Sequence, residues 1–219
     1  MCQHIWALEH LELVQRAGIT DLFWSHVTQG LTQIGAIRIH PFPLYPVRCA
    51  THQPTQPPLP PSQRPLLYSF QGAYSHGLYR TPVRDWLLEL PSRPGAQLQR
   101  RREWHYEQAV YREQVKGQAA DTARHAQLAL EAYAYAATLQ TSCFALCPSG
   151  SGPNSIRLWE ALGYGAIPVI LSDQSQLPGS AALWQAAAVL VPEAQAAVAA
   201  LPEQLEALAS DPQRLQSMQ

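Results

Sequence analysis

A loop rich in glycine and serine, residues 148–155, is the segment of this sequence best suited to chemistry. It reads Pro-Ser-Gly-Ser-Gly-Pro-Asn-Ser and lies between a buried strand pattern at 143–147 and a helical pattern at 155–162. The backbone N–H groups of such a loop and the N-terminus of the following helix converge on one point, which favours an anion. Gly150 and Gly152 permit close approach of the backbone. The segment therefore predicts a phosphate-binding loop.

Side chains that follow this loop suit the same ligand. Asn154 or Ser155 can cap the helix, and Arg157, one turn further, can pair with the bound anion. Glu160 lies three residues beyond Arg157, near enough on the helix to accept hydrogen bonds from sugar hydroxyls. Together they predict a site for a nucleoside diphosphate and its ribose. The alternative is that Arg157 and Glu160 form a solvated surface pair.

Two other kinds of phosphate loop fit the sequence less well. A Walker loop needs a lysine after its second glycine, but Lys116 is the only lysine in the chain. A dinucleotide fingerprint would place its third glycine at Ser155. An ATPase domain or an NAD-type oxidoreductase therefore stays a rival interpretation, which competition among nucleotides would test.

The elements that must position the loop alternate along the chain, which indicates a parallel α/β sheet of Rossmann-like type with flanking helices. Thr81 as N-cap and Pro82 as first helical residue favour a helix at 81–90. The predicted strands are 21–26, 65–70, 103–106, 143–147, 166–171 and 187–191, and the other predicted helices are 2–17, 120–140, 155–162 and one or two after Glu193.

Proline divides the chain into unequal parts. Nine of the 19 prolines fall between Pro41 and Pro65, where they remove backbone donors and favour extended chain. We therefore predict a small N-terminal remnant at 1–45, a linker at 46–64 without helix or central strand, and a Rossmann-like domain at 65–219.

Composition restricts the partners and the cellular location. The 15 basic and 16 acidic residues give a net charge of −1, which argues against binding of nucleic acid through counterion release. The four cysteines form no CxxC pair, and no basic leader or long apolar run is present. A cytoplasmic protein without a membrane span is expected. A lumenal location is the alternative if an N-terminal anchor was lost.

Residues 143–178, CFALCPSGSGPNSIRLWEALGYGAIPVILSDQSQLP, resemble the C-terminal signature of exostosin-like glycosyltransferases. The shared features are the Cys-Pro-x-Gly loop, the Asn-Ser-x-Arg-x-Trp-Glu-Ala-Leu helix and the Pro-Val-Ile strand. Weaker similarity covers Ser69-Phe-Gln-Gly72 with Arg84, and residues 187–193. The resemblance implies a GT-B fold, in which a C-terminal Rossmann-like half binds a nucleotide sugar and an N-terminal half binds the acceptor.

The resemblance also implies roles for individual residues. It puts the pyrophosphate against the loop and Arg157, the ribose near Glu160, and Gly72 and Arg84 on the other side of the phosphates. The predicted donor-binding residues are Gly72, Arg84, Ser149, Gly150, Gly152, Asn154, Ser155, Arg157 and Glu160.

The family inverts the anomeric centre, so a general base is needed, and His26 is the candidate. A UDP-sugar is the expected donor. No tightly bound cofactor and no obligatory metal are expected, because no DxD motif is present.

The sequence departs from the family in one respect. Only about 40 to 50 residues precede the proline-rich segment, whereas an acceptor domain is normally a full α/β unit. The expected partners are a nucleotide sugar and a saccharide acceptor, with most of the N-terminal acceptor domain missing. Two interpretations stay open: an inverting glycosyltransferase of polysaccharide or glycan synthesis, and a catalytically incomplete nucleotide-sugar-binding module.

Overall fold

A small mixed sheet forms the N-terminal part of the computed structural model, which describes residues 1–52, 57–74, 77, 79–101 and 112–219. Strands β1 (Asp21–Trp24), β2 (Gln33–Ile34) and β3 (Ile37–Pro41) lie in the order β1-β3-β2, with β1 and β3 parallel. The predicted helix at 2–17 is shorter, a 3₁₀ turn at Ala7–His10 followed by α1 (Leu11–Arg16). Cys2, at the start of the predicted helix, instead forms a parallel bridge with Trp24, the last residue of β1.

A five-stranded parallel sheet forms the rest of the fold and confirms the predicted Rossmann-like architecture. Its order is β5-β4-β6-β7-β8, and each neighbouring pair is parallel. The strands are β4 (Leu66–Gly72), β5 (Ala96–Arg100), β6 (Ser142–Pro148), β7 (Ile167–Leu171) and β8 (Val189–Leu190). The helices from residue 47 onward are α2 (Val47–Thr51), α3 (Val83–Leu88), α4 (Thr122–Thr141), α5 (Ile156–Gly163), α6 (Ala181–Ala187), α7 (Gln195–Ala209) and α8 (Pro212–Met218).

Strand β6 runs through the middle of the sheet and is buried along its whole length. Phe144 and Leu146 belong to the core under α3, α7 and α8, whereas Ala145 and Cys147 belong to the core under α4 and α5. Side chains of a strand alternate between its faces, so a sheet covered on both sides needs the continuous apolar run seen at 143–147. The carboxyl end of β6 then leads directly into the 148–155 loop.

Three features differ from the sequence-based predictions. The edge strand beside β4 is β5, a partly buried strand whose polar sequence gave no strand signal, and the predicted strand at 103–106 lies outside the described residues. Helix α6 was not predicted. Thr81 is not an N-cap, because Pro82 holds that position without a side-chain cap and the Thr81 hydroxyl donates to Glu193.

The predicted linker at 46–64 contains a helix, α2, contrary to the expectation of extended chain throughout. The segment is held against the large sheet by Arg64, a buried side chain that donates to the carbonyls of Leu59, Leu139, Ser142 and Tyr164. Leu139, Ser142 and Tyr164 lie at the C-terminal ends of α4 and α5, where carbonyls have no donor four residues further along the helix, so the guanidinium supplies donors to them. The domain boundaries themselves stay a prediction.

No helix in the described ranges is long and apolar enough to cross a membrane.

Candidate active site

A pocket of about 290 Å³ lies between the carboxyl ends of the large sheet's strands and the N-terminal sheet. In open α/β sheets this edge is where ligands bind. The pocket brings together nine of the ten predicted site residues, namely His26, Gly72, Arg84, Gly150, Gly152, Asn154, Ser155, Arg157 and Glu160. Ser149 does not line it. Its backbone carbonyl instead accepts from Nε of Arg84 at 2.9 Å, directly behind the pocket wall.

Asn154 joins the two sheets instead of capping a helix. Its amide nitrogen donates to the carbonyl of Ser25 at 2.8 Å, and its amide oxygen accepts from the indole N–H of Trp159 at 3.0 Å. Ser155 occupies the N-cap position of α5 but makes no side-chain cap bond. The predicted capping position is therefore right for Ser155, but neither side chain forms a cap bond, and the Asn154 amide is used between the two sheets.

Two arginines share the floor of the pocket with one aromatic ring. The guanidinium carbons of Arg157 and Arg84 lie 4.6 and 5.9 Å from the centroid of the Phe70 ring. Arg157 is only 9% exposed and donates from Nη2 to the Gln71 carbonyl, while its Nε and Nη1 have no hydrogen-bond partner. Within the described part of the chain, no carboxylate lies within ion-pair distance of either arginine. The pocket therefore contains two neighbouring positive charges that form no salt bridge among the described residues, although Glu160 attracts Arg157 and Asp85 attracts Arg84 at longer range.

The state of these charges follows from their burial. Desolvation, with repulsion from Arg157 as a second cause, lowers the pKa of Arg84 to about 10, so Arg84 stays cationic at neutral pH. A third arginine of the pocket, Arg101, differs because Nη1 binds the Glu131 carboxylate at 2.5 Å. Buried like charges without counter-ions are costly in a folded protein. Such a pair is stabilised when an anion enters between the charges.

Glycines make room for these side chains. A Cβ at Gly72 would lie 2.6 Å from Cζ of Phe70, and a Cβ at Gly150 would lie 3.2 Å from Nη2 of Arg84. At Gly152 it would lie 2.2 Å from Nδ1 of His26. Sequence reasoning assigned the glycines to backbone approach by a ligand. The structure shows a second reason for glycine at these positions, because a Cβ there would collide with or crowd the side chains of Phe70, Arg84 and His26.

Glu160 also lines the pocket and is only 3% exposed. Its Oε2 accepts from the hydroxyl of Tyr135 at 2.9 Å, and its Oε1 accepts from the backbone N–H of Arg48 at 3.2 Å. Desolvation raises the pKa of the Glu160 carboxyl above its usual range. The alternative of a solvated surface pair with Arg157 is therefore wrong: both side chains are buried, and no salt bridge joins them within the described ranges.

His26 enters the pocket from the N-terminal sheet, just after β1, and is 6% exposed. Burial is the main reason why the pKa of its imidazole is lowered to about 4; a hydrogen bond with the Gln3 backbone raises this pKa, and the charges of Arg80 and His4 also lower it. The ring is therefore neutral at pH 7. Its Nδ1 is buried without a hydrogen-bond partner. A neutral imidazole can accept a proton, although a low pKa makes it a weak base.

Sequence reasoning missed Glu193, which follows β8 at the same edge of the sheet. Its carboxylate accepts hydrogen bonds from the hydroxyls of Thr81 and Ser149 and from the backbone N–H of Asp173. The available signal was its place after a predicted strand, at the edge where parallel strands present their loops.

Fold and pocket together define a Rossmann-like α/β protein with an arginine-containing pocket at the carboxyl edge of its sheet. The Exostosin GT47 domain matches residues 11–206, and the chain belongs to this family.

Similar proteins match a shorter segment. A probable glucuronosyltransferase of Oryza sativa subsp. japonica is 47% identical over 60 residues, which are 27% of this chain and 14% of that protein. A probable β-1,4-xylosyltransferase of Arabidopsis thaliana is 43% identical over 60 residues, 27% of this chain and 15% of that protein. The matched segment thus spans about a seventh of the length of these relatives.

Proposed function

We propose that this chain is a glycosyltransferase that moves a sugar from a nucleoside diphosphate donor to a saccharide acceptor in polysaccharide or glycan synthesis. The observation that carries the proposal is the pair of neighbouring arginines in the pocket, Arg84 and Arg157, neither of which forms a salt bridge among the described residues. A diphosphate supplies the matching negative charge. Membership of the exostosin GT47 family and the names of the plant relatives support the same activity.

In the proposed complex, the phosphates of a UDP-sugar lie against the 150–155 loop and the two arginines. Nη1 and Nη2 of Arg84 face Gly72 and Gly150 and are its available donors, because its Nε is used by Ser149. The ribose hydroxyls bind near Glu160, whose carboxylate oxygens each keep a lone pair beyond the bonds from Tyr135 and Arg48. Arg157 contributes mainly its charge from beneath the phosphates.

The reaction we propose is a single displacement with inversion. An acceptor hydroxyl oxygen forms the new bond to the anomeric carbon while the bond from that carbon to the donor phosphate breaks. The hydroxyl proton passes to His26, and the electron pair of the broken bond stays on the leaving nucleoside diphosphate, which gains one negative charge. Arginine and loop N–H groups stabilise that charge where it develops, so no metal ion is required in this scheme.

Calorimetric titration with UDP, GDP, ADP, NAD and uridine tests the donor site. We expect saturable binding of one nucleoside diphosphate. Arg84→Ala should weaken this binding roughly 10- to 150-fold, the value of a charge-assisted phosphate contact, and leave uridine binding unchanged. The control is Arg93→Ala, which removes a surface arginine paired with Glu203 and Glu206. Preference for NAD over every nucleoside diphosphate would contradict the proposal.

Transfer is a separate claim from binding and needs its own assay. The chain is incubated with UDP-xylose or UDP-glucuronate and an oligosaccharide, and the anomeric configuration of the product is determined by NMR. Transfer with inversion supports the full proposal. Binding without transfer would favour the alternative, a nucleotide-sugar-binding module. The cellular location stays a prediction.

A further inference from the structure

We propose that Glu193 is a positioning residue that holds the phosphate-binding loop and Arg84 in their binding geometry without touching the ligand. The inference rests on the proposed function, since it concerns the same site. Glu193 is half-buried, follows β8, and is absent from the residues that line the pocket. Its side chain accepts hydrogen bonds from Thr81 and Ser149, which adjoin pocket-lining segments, and from the loop after β7.

One carboxylate oxygen of Glu193 joins two of these loops. Oε1 accepts from the Thr81 hydroxyl at 2.9 Å and from the Ser149 hydroxyl. Thr81 lies just before α3, which carries Arg84, and Ser149 begins the loop after β6. A single acceptor atom therefore fixes the start of α3 relative to the phosphate-binding loop.

The other side of Glu193 fixes the loop after β7. Oε2 accepts from the backbone N–H of Asp173 at 3.1 Å. In return, the backbone N–H of Glu193 donates to both carboxylate oxygens of Asp173, at 3.1 and 3.2 Å. This reciprocal pair holds the carboxylate of Glu193 in one orientation. Segments from three parts of the sheet edge thus meet at one side chain.

The route from Glu193 to the ligand passes through Ser149. The Ser149 carbonyl accepts from Nε of Arg84 at 2.9 Å, so the position of Ser149 sets the direction of the guanidinium. The next residue is Gly150, which lines the pocket and whose N–H is bonded to the Gly152 carbonyl at 3.0 Å. A shift of Ser149 therefore moves both the arginine and the loop. Small displacements of positioned groups have large effects on binding and catalysis.

A carboxylate is needed at this position because every group facing it is a donor. The Glu193 side chain accepts from two hydroxyls and one backbone N–H. A glutamine has one acceptor oxygen: if that oxygen takes the two hydroxyls, its NH₂ group faces the Asp173 N–H, and in the flipped orientation both hydroxyls must turn round and accept from the NH₂ group. Glu193→Gln preserves the shape of the side chain and removes this match, so it tests the hydrogen bonding without creating a cavity.

The experiment measures binding of inorganic pyrophosphate, UDP and uridine to the full chain by calorimetry, together with the thermal unfolding midpoint. We expect Glu193→Gln to weaken pyrophosphate and UDP binding about tenfold or more and to leave uridine binding unchanged. Glu203→Gln is the matched control, since Glu203 pairs with Arg93 on the surface, and it should leave all three affinities unchanged. Ser149→Ala removes the same hydrogen bond from the other partner and should weaken pyrophosphate binding in the same direction.

The two variants together identify the route. If Glu193 acts through Ser149, the effect of Glu193→Gln on pyrophosphate affinity falls to less than threefold in the Ser149→Ala background. If the wild type binds pyrophosphate and Glu193→Gln binds it equally tightly, the inference is overturned and the proposed function stands. A loss of stability with unchanged pyrophosphate affinity would reduce Glu193 to a structural role and overturn it as well. Absence of any wild-type binding would refute the proposed function and, with it, this inference.

Discussion

Replacing Arg157 by methionine should change stability and ligand binding in opposite directions. In the ligand-free protein, Nε and Nη1 of Arg157 are buried without partners, and the neighbouring charge of Arg84 repels the guanidinium. Each unsatisfied buried polar group costs about 1–3 kcal/mol. The arginine recovers about 1 kcal/mol from its bond to the Gln71 carbonyl and about 1 kcal/mol from its contact with the Phe70 ring. A smaller gain comes from its attraction to the Glu160 carboxylate, whose pKa it lowers. Methionine has a similar length and fills an apolar gap without charge.

The balance favours methionine by about 1 kcal/mol or more in the absence of ligand, which corresponds to an increase of about 2–4 °C in the unfolding midpoint of a chain of this size. Binding of UDP should weaken at least about tenfold, because one of the two positive charges is lost. Differential scanning calorimetry gives the first quantity and isothermal titration gives the second. Uridine, which has no phosphate, serves as the reference ligand.

Arg93→Met is the matched control for this experiment. Arg93 forms surface ion pairs with Glu203 and Glu206, so its replacement should lower stability slightly or leave it unchanged, without any effect on UDP. A destabilised Arg157→Met variant, or one that loses UDP and uridine binding equally, would refute the argument that Arg157 is held unsatisfied in order to bind an anion.

Two further predictions concern His26 and the glycine beside it. Because burial lowers the pKa of His26 to about 4, the unfolded state binds more protons between about pH 4 and 6.5, so stability falls as the pH decreases through this window. Between pH 7.5 and 4.5, the free energy of unfolding should fall by about 2–3 kcal/mol less in His26→Gln than in the wild type. Urea unfolding at each pH measures this difference. Parallel curves of unfolding free energy against pH for the two proteins would contradict the prediction. Gly152→Ala places a Cβ 2.2 Å from Nδ1 of His26 and should cost about 1–3 kcal/mol and weaken UDP binding. Adding His26→Ala to Gly152→Ala should restore part of the lost stability and part of the lost UDP affinity. Strictly additive effects of the two changes would rule out the clash as the cause of these losses.

Local patterns were sufficient to predict the central elements of the fold. The apolar run at 143–147 and the run ending at Leu171 form buried parallel strands, as their continuous hydrophobicity predicts. Edge elements were harder to predict. Strand β5 has the sequence Ala-Gln-Leu-Gln-Arg and is only partly buried, so its strand character depends on pairing with β4 and not on its own composition. Helix α2 forms in a proline-rich segment because it packs against α5.

The sequence by itself determined the phosphate-loop pattern, the parallel α/β class and the residue types of the pocket, since loop, strand and helix signals are local in the chain. Only the tertiary structure decided what each side chain does. Arg84 and Arg157 become neighbouring like charges without a salt bridge in the described ranges because distant segments place both beside Phe70. Asn154 becomes a link to Ser25, and Glu193 becomes the common acceptor of loops that are far apart in sequence. Burial and hydrogen-bond partners depend on which segments meet in space, so spacing along the chain could not specify them.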